Sequence, residues 1–67
     1  MMKEYTDKYG TVINIGDRIV PDEGRELVII SETSGEVNGL LGRQIADPGM
    51  ISILTEADLS RQWTVKS

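Results

Sequence analysis

The 67 residues of this chain are enough for one small domain, and a domain of that size buries only about 60% of its unfolded surface, which leaves no room for a deep substrate cavity. Cys and His are both absent, which excludes disulfides and the common thiolate and imidazole metal sites, so we expect neither a metal nor another cofactor. Eleven acidic residues against seven basic ones give a net charge of −4 without a basic stripe. This balance disfavours nucleic-acid binding, because phosphate contacts need clustered Lys and Arg.

The sequence predicts neither a membrane span nor a targeting signal. No run approaches the roughly 18 consecutive apolar residues of a membrane helix. Met1–Glu4 leads into polar residues instead of the apolar centre of a signal peptide. We therefore expect a soluble cytoplasmic protein that does not bind membranes.

Two turn signals precede the first predicted strand. Asp7 to Gly10 has the composition of a four-residue turn, since Asp accepts hydrogen bonds from nearby amides and Gly tolerates positive φ. Gly16 and Asp17 repeat the signal just before Arg18–Val20, whose β-branched residues favour a strand. We interpret both Asp side chains as turn-forming, and not as a carboxylate pair for acid–base chemistry or cation binding.

The same stretch resembles a motif of known small proteins. It is similar to the opening of small phage and prophage proteins of the YopX-like kind, and more loosely to the Gly-Asp strand opening of many SH3-like barrels. The residues that carry the resemblance are Asp7, Gly10, Ile13, Gly16, Asp17 and Val20. They span about a quarter of the chain. The resemblance implies an SH3-like fold but no function, because one fold hosts many functions.

The middle of the chain predicts an antiparallel meander. Pro21–Gly24 is a turn, with Pro presetting φ and Gly permitting the exit. Arg25–Ser31 follows as the most apolar stretch, too short for a typical helix, and is predicted to be the central strand.

Two turn signals compete in the next segment, Glu32–Gly35 and Asn38-Gly39, and Asn-Gly is the preferred dipeptide of two-residue hairpins. The central strand either ends before a long loop or continues through a bulge near Gly35 to a hairpin at Asn38-Gly39. We favour the hairpin, with Leu40–Ala46 as the returning strand.

The last third of the chain supplies two more strands and a helical turn. Asp47–Gly49 predicts a turn, and Met50–Leu54 a fourth strand whose Ile51 and Ile53 share one face. Thr55–Asp58 has the form of a capping box and opens one helical turn ending near Ser60. Residues 61–66 then alternate as the last strand, with Trp63 and Val65 facing inward.

These elements predict one all-β domain over residues 1–67, with an N-terminal hook at residues 5–17 and a barrel at residues 18–66. Five short strands, Gly or Pro at the corners and a helical turn before the last strand are typical of a small SH3-like barrel. An OB-like barrel is the alternative, but it usually needs a longer helix between its third and fourth strands.

The aromatic residues are few and predict structure more than binding. Trp63 is expected in the core, and Tyr5 and Tyr9 are expected to form a lid over one end of the barrel. A groove for Pro-rich peptides or methyl-lysine needs several converging rings, which this sequence lacks.

Arg43 is the one charged residue whose predicted position is awkward, because alternation puts it on the same strand face as Leu41 and Ile45. We expect its side chain to extend to solvent and to pair with a carboxylate; the sharper alternative is that it is held for a phosphate or carboxylate ligand. The candidate carboxylates are Glu26, Glu36 and Glu56. Leu40 and Met50 are predicted to face outward nearby, so the candidate contact with a protein partner is formed by Leu40, Arg43 and Met50.

Three functions follow from these features. The first is a non-enzymatic protein-interaction module encoded by a phage or mobile element, a monomer or weak homodimer whose partner is not identified. The second is a nucleic-acid-binding barrel, which requires convergence of Arg18, Arg25, Arg43 and Arg61. The third, an enzyme, is disfavoured by the missing His and Cys and the absence of paired carboxylates, so we predict no catalytic residue.

Overall fold

The chain forms two antiparallel sheets and one helix. The computed structural model describes residues 3–66. A small sheet pairs β1 (Tyr5–Thr6) with β2 (Val12–Ile13). The large sheet contains β3 (Arg18–Pro21), β4 (Leu27–Glu32), β5 (Gly39–Gln44), β6 (Ile51–Thr55) and β7 (Trp63–Val65), and helix α1 (Glu56–Gln62) connects β6 to β7.

The large sheet has the strand order β6-β5-β4-β3-β7, and all neighbours are antiparallel. The described chain is mostly β, its large sheet has the five predicted antiparallel strands, and β4 is the central strand, as predicted for Arg25–Ser31. The two edge strands β6 and β7 do not pair with each other within the described residues, so the sheet is open there. Among these residues, no helix is long and apolar enough to cross a membrane.

The connection between β4 and β5 differs from the favoured prediction. Asn38-Gly39 is not a hairpin turn: Gly39 is the first residue of β5, and its φ is not positive. A loop from Thr33 to Asn38 joins the strands, and the Thr33 amide donates to the Gly39 carbonyl at 3.0 Å. The bulge lies at Ile30 instead of Gly35, since the pairing changes register between Ile29 and Ser31.

A close approach between β5 and β6 explains why the local Asn-Gly signal was misleading. A Cβ at Gly39 would overlap the carbonyl oxygen of Leu54. Gly39 is therefore required for tight strand packing and not for a left-handed turn.

The faces of β5 are opposite to those predicted. Leu40 is 1% exposed and Gly42 is buried, whereas Arg43 is exposed. The prediction that Leu40 faces outward is therefore wrong. Because side chains alternate along a strand, one wrong assignment exchanges the two faces of the whole strand.

The core lies between the inner face of the large sheet, α1 and the hook. Its buried residues are Tyr5, Ile13, Ile19, Leu27, Ile29, Leu40, Leu54, Leu59 and Trp63, with Val65 packed against them. The inward positions predicted for Trp63 and Val65 are thus confirmed. The two tyrosines do not form a common lid: Tyr5 is in the core, and Tyr9, at the tip of the Asp7 turn, is 73% exposed.

Helix α1 begins where predicted and ends later. The Thr55 hydroxyl accepts from the Asp58 amide at 3.2 Å, which confirms the N-cap. The helix continues past Ser60 to Gln62, which is longer than the single predicted turn. Burial of Leu59 and an ion pair between Asp58 and Arg61 at 2.9 Å stabilise the added residues.

Asp7 connects the hook to the last strand. Its carboxylate is buried, with the residue 3% exposed, and Oδ1 accepts from the amides of Tyr9 and Thr11, both at 2.9 Å. Oδ2 accepts from the Val65 amide at 2.8 Å. The predicted turn role of Asp7 is confirmed, while its contact with Val65 was not predicted. Asp17 also acts as a turn acceptor, for the Asn14 amide at 2.8 Å.

The hydrogen bonds of Asp7 outweigh its burial. Burial alone raises the pKa of the carboxyl, because it disfavours the charged form. The amides of Val65, Thr11 and Tyr9 and the Thr11 side chain lower the pKa, and the result lies below the ordinary value of 3.8. The ionised form is therefore the one that the fold stabilises.

Replacing Asp7 should destabilise the protein and reduce the pH dependence of its stability. A pKa lowered on folding contributes stability that is present above the unfolded value of 3.8 and is lost as the pH falls through the folded value. We expect Asp7→Asn to cost about 1–3 kcal/mol at neutral pH, because an amide nitrogen cannot accept from backbone amides. Urea unfolding from about pH 7 to about pH 2 measures both effects. Asp17→Asn, which alters a local turn bond, is the control and should cost less; an Asp7→Asn chain as stable as the native one contradicts the prediction.

Gly39→Ala should lower the stability of the protein more than Gly49→Ala does. At Gly39 the added methyl group meets backbone atoms of Leu54, so the strands must separate, at a cost of about 1–3 kcal/mol. At Gly49 the nearest atom to an added Cβ is Asp47 Oδ1 at 3.7 Å, an ordinary contact. Thermal midpoints of the two variants provide the comparison, and equal midpoints contradict the packing of β5 on β6.

Candidate functional site

The outward side of the large sheet carries a mixed basic and apolar surface. Antiparallel partners share a face, so the pairings of Arg18 with Val28, Val28 with Arg43 and Arg43 with Ile51 place these side chains in one row across four strands. The pairing of Leu41 with Ile53 adds a second row. We call this surface the outer face, defined by Arg18, Val28, Leu41, Arg43, Ile51 and Ile53.

The apolar part of the outer face lies on the edge strand β6. Ile51 and Ile53 are 52% and 62% exposed, while Leu54, the residue after Ile53, is buried on the opposite face. Met50, just before β6, is exposed as well. Single exposed aliphatic residues are normal, but Ile51 and Ile53 lie side by side on one face of the edge strand, with Met50 exposed next to its start.

The basic part of the outer face continues into a shallow pocket of about 400 Å³. This basic pocket is lined by Arg18, Arg25, Glu26, Ile45, Ala46 and Lys66. Glu26 lies between two of the cations, with Oε1 at 3.0 Å from Lys66 Nζ and Oε2 at 3.8 Å from Arg18 Nη1. Three cations face one carboxylate, so this region is positive although the chain carries a net charge of −4.

Three of the four arginines whose convergence the nucleic-acid alternative requires lie on this side of the sheet. Arg18 and Arg25 line the basic pocket. Arg43 lies two strands from Arg18, at a backbone separation of about 10 Å. Arg61 lies instead on α1 and bonds to Asp58 at 2.9 Å, so it does not join the group.

Arg43 itself extends to solvent, but without the predicted ion pair. Glu26 pairs with Lys66 and Arg18, and Glu56 pairs with Lys3 at 2.9 Å. Across residues 3–66, the structure shows no ion pair of Arg43 with any carboxylate. Its guanidinium is therefore free to bind a group from outside the chain.

The predicted contact set of Leu40, Arg43 and Met50 does not form one surface, because Leu40 is a core residue. Arg43 and Met50 are both exposed. Ile51 and Ile53 were missed as contact residues, although their common face was predicted. Alternation shows that two residues share a face but not which face is inward, and the buried Leu54 decides this only in the folded chain.

Within the part of the chain that the structure describes, no group of three or more acidic side chains is placed to hold a metal ion. The one buried acid, Asp7, is occupied by backbone amides and lies in the hook, away from the outer face. The outer face offers guanidinium donors and aliphatic side chains, which can bind carboxylates and apolar groups of another molecule.

Truncating two neighbouring leucines tests which face of β5 is buried. Leu40→Ala should cost about 2–5 kcal/mol, because it leaves a cavity in the core. Leu41→Ala makes the same chemical change on the half-buried outer face and should cost clearly less. Chemical denaturation of both variants measures the difference. Similar losses would show that the outer face is not where the pairings place it.

No family model, no curated protein and no solved structure matches this chain. Function is therefore inferred from the chain's own geometry and chemistry.

Proposed function

We propose that the protein is a small non-enzymatic interaction module that binds an acidic segment of a partner protein on its outer face. The observation that carries the proposal is the free guanidinium of Arg43 beside the exposed Ile51, in one row with Arg18 of the basic pocket. This row offers charged and apolar contacts separated by the distance between neighbouring strands, about 4.8 Å.

We propose further that the fold is an SH3-like barrel by connectivity. The four strands β3 to β6 form a meander, α1 follows, and β7 returns to pair with β3. The helix precedes the last strand, whereas an OB-like barrel usually places it between the third and fourth strands. The resemblance of residues 7–20 to small phage proteins agrees with this proposal, and a phage or mobile-element origin remains a prediction.

The chemistry of the partner follows from charge. Arginine binds carboxylates through two parallel hydrogen bonds, which gives both strength and orientation. Carboxylates spaced along an extended segment reach Arg18 and Arg43, about 10 Å apart, while an aliphatic side chain between them contacts Val28 and another beyond Arg43 contacts Ile51. Side chains on one face of an extended segment are two residues apart, so a segment in which acidic and aliphatic residues alternate along one face, such as Glu-Ser-Val-Ser-Glu, presents both kinds to this row.

Single-stranded nucleic acid is the second candidate, favoured by the convergence of Arg18, Arg25 and Arg43. It is weaker for two reasons. Bases stack on exposed aromatic rings in such proteins, and here Tyr5 and Trp63 are buried while Tyr9 lies on the hook. The net charge of −4 also opposes association with a polyanion more strongly than with a short segment that carries few carboxylates.

A peptide titration tests the proposal. We expect a synthetic peptide with a Glu-Ser-Val-Ser repeat to shift the backbone NMR signals of Arg18, Arg43 and Ile51, and a matched peptide with a Lys-Ser-Val-Ser repeat to leave them unchanged. Added salt should weaken binding, since exposed charges are screened. A single-stranded DNA oligonucleotide in the same titration tests the second candidate, and tighter binding of DNA than of the acidic peptide would replace the first proposal.

Variants locate the binding residues. Replacing Arg18, Arg25 and Arg43 together by Gln keeps their long stems and removes their charges, and should weaken peptide binding at least tenfold, on the order of 1.4 kcal/mol. Replacing Lys3, Lys8 and Arg61 together by Gln removes the same number of charges from exposed positions away from the outer face, and this matched control should leave affinity unchanged. Equal loss in both proteins would show that the attraction is a general charge effect and not a property of the outer face.

A further inference from the structure

The protein covers one edge of its large sheet and leaves the other open. At the β7 edge, the Lys8 amide donates to the Trp63 carbonyl at 2.9 Å, and the Val65 amide donates to Asp7 at 2.8 Å. The hook thus occupies the backbone groups of β7. Among the described residues, no segment donates to or accepts from the outward backbone groups of β6.

The backbone of β6 presents donors and acceptors to solvent. The Gln44 amide donates to the Met50 carbonyl at 3.0 Å, and the Glu56 amide donates to the Asn38 carbonyl at 3.4 Å. Hydrogen-bonded positions alternate along an antiparallel pair, so the even-numbered residues of β6 face β5. Ile51, Ile53 and Thr55 therefore direct their backbone groups away from the sheet.

The usual protections of an edge strand are missing from β6. Natural edges carry charged residues, Pro or a bulge, because an unprotected edge pairs with other strands. Ile51–Thr55 contains no charged residue and no Pro. Its five pairs with β5 run from Gly39↔Thr55 to Arg43↔Ile51 without a register shift.

We propose that β6 pairs antiparallel with β6 of a second copy of this chain, about a two-fold axis through Ile53. This register overlaps the whole of Ile51–Thr55, since Ile51 lies opposite Thr55 of the second copy and Ile53 opposite its own equivalent. The two sheets then form one continuous sheet, and the contact is closed because the same strand is used on both sides. The inference goes beyond the proposed function, because it depends on the edge backbone and not on the arginines.

Self-pairing also suits the side chains of the outer face. Leu41 and Ile53 of both copies form one row of four aliphatic residues across the junction. Arg43 lies in a different row, so the two Arg43 backbones are about 20 Å apart in this register. This separation exceeds the Debye length of about 8 Å at physiological salt, so the two charges repel weakly. No charged side chain of β6 opposes the pairing.

Sedimentation of the native chain over a range of concentrations tests the proposal. We expect a monomer–dimer equilibrium that Ile53→Lys weakens at least tenfold, because two ammonium groups then meet at the axis. Ile45→Lys adds the same charge beside the basic pocket, away from the edge, and should change dimerisation less than twofold. Circular dichroism confirms that both variants remain folded, as expected for exposed positions.

A backbone variant separates edge pairing from side-chain contact. A chemically synthesised chain with an N-methyl group at Ile53 keeps the side chain and loses the amide donor, and should also dimerise at least tenfold more weakly. In the native chain, hydrogen exchange at the Ile51 and Ile53 amides should slow as concentration rises, while Ser52, which bonds to β5, stays protected throughout.

Several outcomes would overturn the proposal. The first is a native chain that stays monomeric at millimolar concentration, and the second is a species larger than a dimer. The third is a loss of dimer affinity with Ile45→Lys equal to the loss with Ile53→Lys. Full dimerisation of the N-methyl chain would also overturn it. A monomer that still binds the acidic peptide would leave the proposed function standing, so the two proposals fail separately.

Discussion

The fold depends on one buried carboxylate. Asp7 accepts from the amides of Tyr9, Thr11 and Val65, so a single side chain both shapes the hook and attaches it to a strand 58 residues away in sequence. A buried charge without partners is strongly unfavourable, and three backbone donors offset that cost. The same bonds place Tyr5 in the core against α1 and cover the β7 edge. The hydrogen bonds of Asp7 therefore both complete the core and cover the β7 edge.

Features set by neighbouring residues were predictable. The turn at Asp47–Gly49, the Thr55 cap and the alternation of Trp63 and Val65 all depend on local chemistry and occur in the structure. At the predicted turn Pro21–Gly24 the chain bends at residues 22–24, but Pro21 is the last residue of β3. The β4–β5 connection was not predictable in this way. Asn38-Gly39 is locally a strong turn signal, but contact with Leu54, fifteen residues away, requires Gly39 inside a strand. Non-local packing therefore decided between the two predicted connections.

The candidate site was predictable only in part for a related reason. Arg43 and Met50 were predicted as contact residues and are exposed, but Leu40 was assigned to the wrong face. Alternation is symmetric between inside and outside, and Leu40-Leu41 offers an aliphatic residue to either face. The convergence of Arg18 with Arg43 depends on which strands are neighbours, which appears only when β4 lies between β3 and β5. Ile51 and Ile53 belong to the outer face because Leu54 takes the core position.

The pairing of β3 with β7 affects how the chain folds as it is synthesised. Ile19 pairs with Val65, so the large sheet lacks a strand until residue 65 has left the ribosome. Until then the β3 edge is bare and the Asp7 carboxylate lacks its third donor. Contacts between residues so distant in sequence form slowly, because a long loop must close before they contribute any stability. The nascent chain therefore exposes both edges of the large sheet during synthesis, whereas in the fold of residues 3–66 only the β6 edge is uncovered.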